Sequence, residues 1–428
     1  MTDKGKLIAG FARGDLDFGS DVPKWVRTTR ESAHAKLADV EFPTTSEEIW
    51  RYSRVEELLG LGLSMDGSRP KVERPEKRGD LPAVFAPLAD AASVFVQLGA
   101  RRASIVATDK SGDVRIDGID EVAEADWTIG EPSDDFFELF GEAFSPDTYL
   151  LKVAPGKRIV RPIVVLHDEV ADGLNYMPHL IVSLGDNSSA RLIEVFTGGS
   201  ARSLLASSTK VYLGTSARLE HFQVQDLELG AYQTSFVSSH VGASASLLFG
   251  AFSFGGYYAR IRGESHLVGE GARAELKAAY FANGEQMQDF RTLQDHHSAN
   301  TFSDLLFKGA VAGKSHSVYS GLVRIEEGAV RSDAFQTNRN LVLSDGARAD
   351  SVPNLDIREN NVRCSHASAV GPIDPDLIFY LESRGIDPKR AERMIVRGFF
   401  KEILEGIDQP ELVGIVEALV GKKLEELD

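Results

Sequence analysis

The chain has 428 residues, more than one hydrophobic core usually serves, so two or three domains are expected. Its composition, 43% hydrophobic and 26% charged, is that of an ordinary folded protein. A formal net charge of −17 excludes the basic surface that nucleic-acid binding needs, and a single cysteine excludes an internal disulfide, which points to a reducing compartment.

The opening stretch MTDKGKLIAGFARGDLDFGSD has no apolar run or cleavage site of a signal peptide. No apolar run in the chain approaches the ~20 residues of a membrane span, so a cytoplasmic location is expected. Residues 1–150 carry 8 of the 16 prolines, including Pro23, Pro43, Pro82, Pro132 and Pro146, and cannot form one continuous ladder. This N-terminal region reads as mostly helical with some strands. In PTTSEEIWRYSRVEELL, Thr44 or Thr45 with Glu47 or Glu48 makes a capping box that predicts a helix. The segment RPEKRGDLPAVFAPLAD reads as a linker, and ASVFVQLGARRASIVAT as a hairpin.

The middle, 151–372, differs. No proline lies between Pro178 and Pro353, where the usual frequency of ~5% would give about nine. A backbone ladder excludes proline because that residue has no N–H to donate. ARLIEVF, SARLEHFQVQ, SLLFGAFSF and ARAELKAAYF alternate or are rich in aromatics, which is the period of strands. Each follows a small-residue turn, at Gly185, Gly214, Gly242 and Gly269, about 28 residues apart. Strand-plus-turn units at that period, with no room for helices between them, predict a parallel β-helix.

Three stretches invite chemistry. FKGAVAGKSHS leaves three residues between Gly309 and Gly313, where a phosphate-binding loop needs four, and no helix follows to aim at a phosphate. In LQDHHSANTF, neighbours on a strand face opposite ways, so His296 and His297 cannot share a metal, whereas Asp295 and His297 can. Histidines bonded to backbone at a turn are the plainer alternative there, and His221, His240 and His266 are scattered and read as structural. In VRCSHASAV, Cys364 and His366 would project from one face of a strand, about 6.6 Å apart along it, within reach of one soft metal or sulfur species. On residue types alone, a buried structural cysteine explains Cys364 as well.

The C-terminal region, 373–428, is helical. Asp374-Pro375 and Asp387-Pro388 are N-cap and first-turn pairs, and Gly385 and Gly406 sit where helix C-caps belong. Three helices follow, suited to capping, docking or both.

The stretches LQDHHSANTFSDLLFKGAV, VYSGLVRIEEGAVRSDAFQTNRNLVLSDGARADSVPNLDI and VRCSHASAVGPIDPDLIFYLESRGI together resemble the SufB/SufD family of iron–sulfur cluster assembly proteins. The resemblance is dense over about 285–405 and extends more weakly to WRYSRVEELL and VAPGKRIVRPIVVLHDE. SufB-type chains place a cysteine for the nascent cluster in the strand that here carries Asn338, so the likeness is to the SufD side of the family. It implies a mainly β fold: a right-handed parallel β-helix flanked by a mixed or helical N-terminal region and a C-terminal helical domain. It also implies a scaffold without turnover of its own, paired with a SufB-type subunit through the β-helix and with the ATPase SufC through the C-terminal helices. His366 corresponds to a histidine at the subunit interface and Cys364 to its neighbouring thiol, both possible transient contacts of iron or a cluster. No stably bound cofactor is expected. The family complex is linked to reduced flavin, but the sequence has no flavin fingerprint. Two other readings remain: a self-paired homodimeric scaffold and, against the lack of a secretion signal, a carbohydrate-active β-helix enzyme.

Overall fold

The computed structural model describes residues 23–61, 64–65, 72–79, 82–99, 102–107, 111–124, 135–145, 148–168, 173–198 and 202–427. The chain is mainly β. Two 11-stranded sheets run side by side, and from His179–Leu184 onward successive strands of the chain alternate between them. Each of these strands pairs in parallel with the strand two positions on, as in a β-solenoid. Partners lie 28 residues apart at Ser207 and Ser235, 29 at Arg260 and Asp289, and 31 at Phe307 and Asn338.

The glycine repeat has a packing cause. A Cβ on Gly242 would lie 2.5 Å from Leu213 O, and one on Gly269 would lie 2.0 Å from Ala243 N. Turns stack so closely that only hydrogen fits there. Next to these glycines stands a column of left-handed residues: Asn187, Ser216, Ser244, Gly271, Asn300 and Arg331. Their N–H groups donate to the following turn, from Asn187 to Thr215 O and from Ser216 to Ala243 O, both at 2.8 Å. Each rung therefore locks the next.

Alternation divides every strand between lumen and outer face. The lumen holds Leu192, Phe196, Leu219, Leu247, Phe249 and their neighbours. It is not wholly apolar: buried Glu194 accepts from Thr209 Oγ1 at 3.0 Å and Gln223 Nε2 at 3.1 Å, with His221 Nε2 at 2.7 Å.

Among the described residues six α-helices lie outside the ladder. Helix α1 (Lys24–Asp39), α2 (Ala86–Ala91) and α3 (Phe136–Phe144) belong to the N-terminal region, and α4 (Pro375–Ser383), α5 (Pro388–Leu404) and α6 (Pro410–Glu425) follow the last rung. Ala33 and Leu37 of α1 and Phe136 to Phe140 of α3 share a cluster with Leu204, Ala206, Tyr258 and Met287 on the outer face of one sheet. On the other sheet, Val396, Phe400, Ile403 and Leu419 of α5 and α6 pack over Phe222, Phe252 and Phe281. Asp374 and Asp387 cap α4 and α5 with their carboxylates, and Gly385 and Gly406 take left-handed φ of 80° and 82° after these helices.

Three expectations change. PTTSEEIWRYSRVEELL forms no α-helix; it makes two short 3-10 turns, Glu48–Trp50 and Val55–Gly60. Glu47 does reach back to the Thr44 N–H at 2.9 Å, but Tyr52 at φ 65° breaks the run. Trp50 is drawn against Arg260, whose guanidinium lies 3.6 Å from its ring centre. The stretch read as a linker, 74–90, is folded where described: Phe85, Leu88 and Ala89 join the cluster beneath α6. The ladder also begins before residue 151, because Val94–Gly99 pairs in parallel with Ile163–His167, and Thr148–Val153 with His179–Leu184. The expected hairpin is present, as Val94–Gly99 against Arg102–Ala107.

Candidate functional site

The two sheets end on the strands Arg348–Ile357 and Arg363–Gly371, each paired on one side only. Register fixes which of their side chains continue the lumen. Ala334, Gln336, Asn338 and Asn340 point inward and are buried. Their partners on the last strand are Cys364, His366, Ser368 and Val370. On the other sheet, inward Tyr319, Val323 and Ile325 pair with Ser351, Leu355 and Ile357. The last rung is thus the floor of the solenoid, with nothing beneath it among the described residues.

Sequence alone placed Cys364 and His366 on one face of a strand; the structure puts that face at the open end. Cys364 is half-buried against Val323, Ile325, Ala329 and Ala334, whereas His366 is exposed. Apolar side chains surround them in the open: Val370 is 46% exposed and Leu355 37%. Behind His366, Gln336 Nε2 donates to Tyr319 Oη at 2.5 Å, and the Tyr319 phenol is held neutral by burial. Beside this pair, Asn338 donates to Tyr280 Oη at 3.0 Å in a second buried network that includes Asn340, so that position is a structural amide here. These networks give the rim a rigid backing, which residue types alone did not reveal.

A second cluster lies on an outer face. His266 and Asp295 are register partners, and His297 follows the strand end; His266 Nδ1 is 3.2 Å, and His297 Nε2 2.9 Å, from Asp295 Oδ2. The pairing of Asp295 with His297 agrees with strand alternation, but His266 is not the isolated histidine the sequence suggested. Burial opposes its protonation, yet hydrogen bonds to Asp295 and Glu264 outweigh that and push its pKa up to about 9. His296 turns into the lumen, with Thr301 Oγ1 and Ser303 Oγ each 2.8 Å from a ring nitrogen.

FKGAVAGKSHS is a turn between the strands Phe302–Val311 and His316–Ile325, with no helix after it. Gly309 faces the lumen, where a Cβ would lie 2.0 Å from the Tyr280 ring. It is a rung corner, not a phosphate loop.

Past the last rung, α4 leaves the solenoid with none of its residues buried; Phe379 is 70%, Tyr380 55% and Leu377 50% exposed. The groove between α5 and α6, lined by Arg397, Phe400, Lys401 and Leu404, has a volume of about 250 Å³. A cofactor pocket usually needs ~300 Å³ or more.

Comparison of the sequence with known proteins points to one family. The family model described as "SUF system FeS cluster assembly, SufBD core domain" covers residues 167–399. The chain belongs to the SufB/SufD family. It is 31% identical over 395 residues to an iron–sulfur cluster assembly SufBD family protein of Mycobacterium tuberculosis, covering 90% of each chain. It is 27% identical over 400 residues to the iron–sulfur cluster assembly protein SufD of Escherichia coli, covering 91% of each. SufD of Bacillus subtilis matches at 27% over 282 residues, 63% of each chain. Its setting is therefore the SUF system of iron–sulfur cluster assembly. No helix among the described residues is long and apolar enough to cross a membrane.

Proposed function

We propose that this chain is a non-catalytic SufD-type scaffold subunit. Its open rung would pair with a SufB-type subunit, and its C-terminal helices would hold the ATPase SufC. The observation that carries the reading is the unfinished end: both final strands offer unpaired backbone along one side, and exposed Val370 and Leu355 rim it. Free strand edges and bare apolar side chains are costly unless another chain covers them.

In that pairing His366 and Cys364 face the partner. The cluster is cargo, and one thiol can supply at most one of the four cysteinates a cluster commonly takes. The partner must supply the rest. His366, exposed and backed by the Gln336–Tyr319 network, would accept a proton or lend a nitrogen to incoming iron; Cys364, half-buried beside it, would offer sulfur only after a small opening. The helical tail supports such an opening mechanically. Lys308 Nζ donates to Phe399 O at 2.9 Å and pairs with Glu402, and Lys277 Nζ donates to Glu405 O at 2.7 Å. A pull on α5 would thereby reach the strand Phe302–Val311 and the rungs beyond it.

The test is cluster formation by the complex of SufB-type, SufC and this chain, with His366→Ala in this chain. Assembly should fall by an order of magnitude or more while the complex stays intact; unimpaired assembly removes His366 from the site. A second reading, a homodimer through the same end, is favoured by the same unpaired edges.

A further inference from the structure

Away from the open end, His266, Asp295 and His297 place one donor atom each within 4.8 Å of one another, on an outer face of the solenoid. The ladder sets His266 beside Asp295, and the chain turns directly after the strand to return His297 to the same carboxylate. The two histidine nitrogens lie 3.2 and 2.9 Å from Asp295 Oδ2. Donors held by one tetrahedral or octahedral ion at ~2.0–2.2 Å stand roughly 3.0–3.4 Å apart, so little movement would admit a metal.

Two further features are those of a built site. Asp295 is 4% exposed, and its Oδ1 is buried without a hydrogen-bond partner, leaving a carboxylate oxygen unspent beside the two rings. His266 also has an outer-shell carboxylate, since Glu264 Oε2 lies 3.4 Å from its Nε2. Glu264 in turn is held by Arg262 at 2.5 Å, and Arg262 by Asp135 at 2.8 Å. A carboxylate behind a histidine fixes which ring nitrogen stays free to bind, and metal-ligating histidines commonly have one.

We propose that His266 Nδ1, Asp295 and His297 Nε2 form a binding site for a divalent first-row transition metal. Two imidazoles and one carboxylate suit zinc, cobalt or iron(II) better than calcium or magnesium, which prefer all-oxygen shells, or copper(I), which prefers sulfur. His297, with its side chain 40% exposed, closes the site on the solvent side and leaves a coordination position for water or a small ligand. Nothing in this site depends on the pairing proposed for the open end.

The test uses the full chain carrying Cys364→Ser and His366→Ala, so that donors at the open end contribute nothing. Cobalt(II) is added, excess is removed by gel filtration, and bound metal is counted by elemental analysis. The geometry requires close to one cobalt per chain, a visible ligand-field spectrum without a thiolate band, and displacement by zinc. His297→Ala, a change at an exposed turn, should weaken binding at least tenfold with the circular dichroism spectrum unaltered, and Asp295→Asn should do the same. No retained cobalt, or equal retention by the His297→Ala chain, overturns the proposal and leaves the cluster as a charge-paired histidine ladder.

Discussion

The middle rungs and the last rung are built from the same strand-and-turn unit, yet only the first kind is covered. Along Ser246–Ser253 and Arg273–Ala282, Leu247, Phe249 and Leu276 fill the lumen, while Phe252, Ala279 and Phe281 lie under the C-terminal helices. Along Arg348–Ile357 and Arg363–Gly371 no residue is buried. The far end of the stack is finished differently again: Val114–Gly118 ends one sheet as an antiparallel strand, and on the other the antiparallel Arg102–Ala107 is followed outward by the short parallel strand Val72–Glu73. A solenoid needs a cap at each end to keep its core dry. Here α5 and α6 turn back onto the side of the stack, and among the described residues nothing covers its end. The bare end is the surface proposed above for the partner subunit.

That contrast can be broken by mutation. Phe252→Ala in the covered region should cost about 3–5 kcal/mol in denaturant unfolding, whereas Leu355→Ala at the open rung should cost less than ~1 kcal/mol. Equal costs would mean that the end is as well packed as the middle. Next comes acid sensitivity confined to the covered part. His179 is fully buried, and burial, followed by the nearby charges of Lys210 and Arg30, lowers its pKa to about 3. The unfolded chain takes up that proton near pH 6.5 and the folded chain does not. Its contribution to stability is therefore present above pH 6.5 and lost as pH falls from there toward 3, by up to about 1.4 kcal/mol per unit. His179→Gln should make this acid limb shallower, with half-buried His240 and buried His296, whose pKa values burial lowers to about 4, supplying the remainder.

Smaller effects sharpen the boundary. Lys308→Ala removes the donor to Phe399 O and the partner of Glu402, and should lower stability by about 1–3 kcal/mol while loosening α5 in hydrogen exchange. Phe379→Ala on the unpacked α4 should change stability by less than ~0.5 kcal/mol yet weaken association with SufC at least tenfold, measured by calorimetry. A substantial stability loss there would show that α4 packs on its own chain.

Much of this was legible from spacing. The recurrent glycines at 185, 214, 242 and 269 and the missing prolines are direct traces of stacked turns and an unbroken ladder, because both sit where backbone meets backbone. The helix expected in PTTSEEIWRYSRVEELL does not form because its outcome is decided by Arg260, some 210 residues from Trp50, against which Trp50 packs. The meeting of His266 with Asp295 was missed for a related reason. Rung length varies from 26 residues, at Tyr232 and Tyr258, to 32, at His316 and Arg348, so register between neighbouring turns cannot be carried from one to the next by counting. At the open end the sequence supplied the face shared by Cys364 and His366, but not that the face lies beyond the last covered rung.

Light scattering on this chain mixed with its SufB-type counterpart and SufC, with and without Val370→Arg, tests the bare end most directly. If the open rung is the mating surface, the native chain runs at the mass of the joined subunits, and the arginine, set at the rim where Val370 is 46% exposed, releases the SufB-type subunit while SufC stays bound. An undiminished mass for the Val370→Arg mixture would place the partner elsewhere on the molecule.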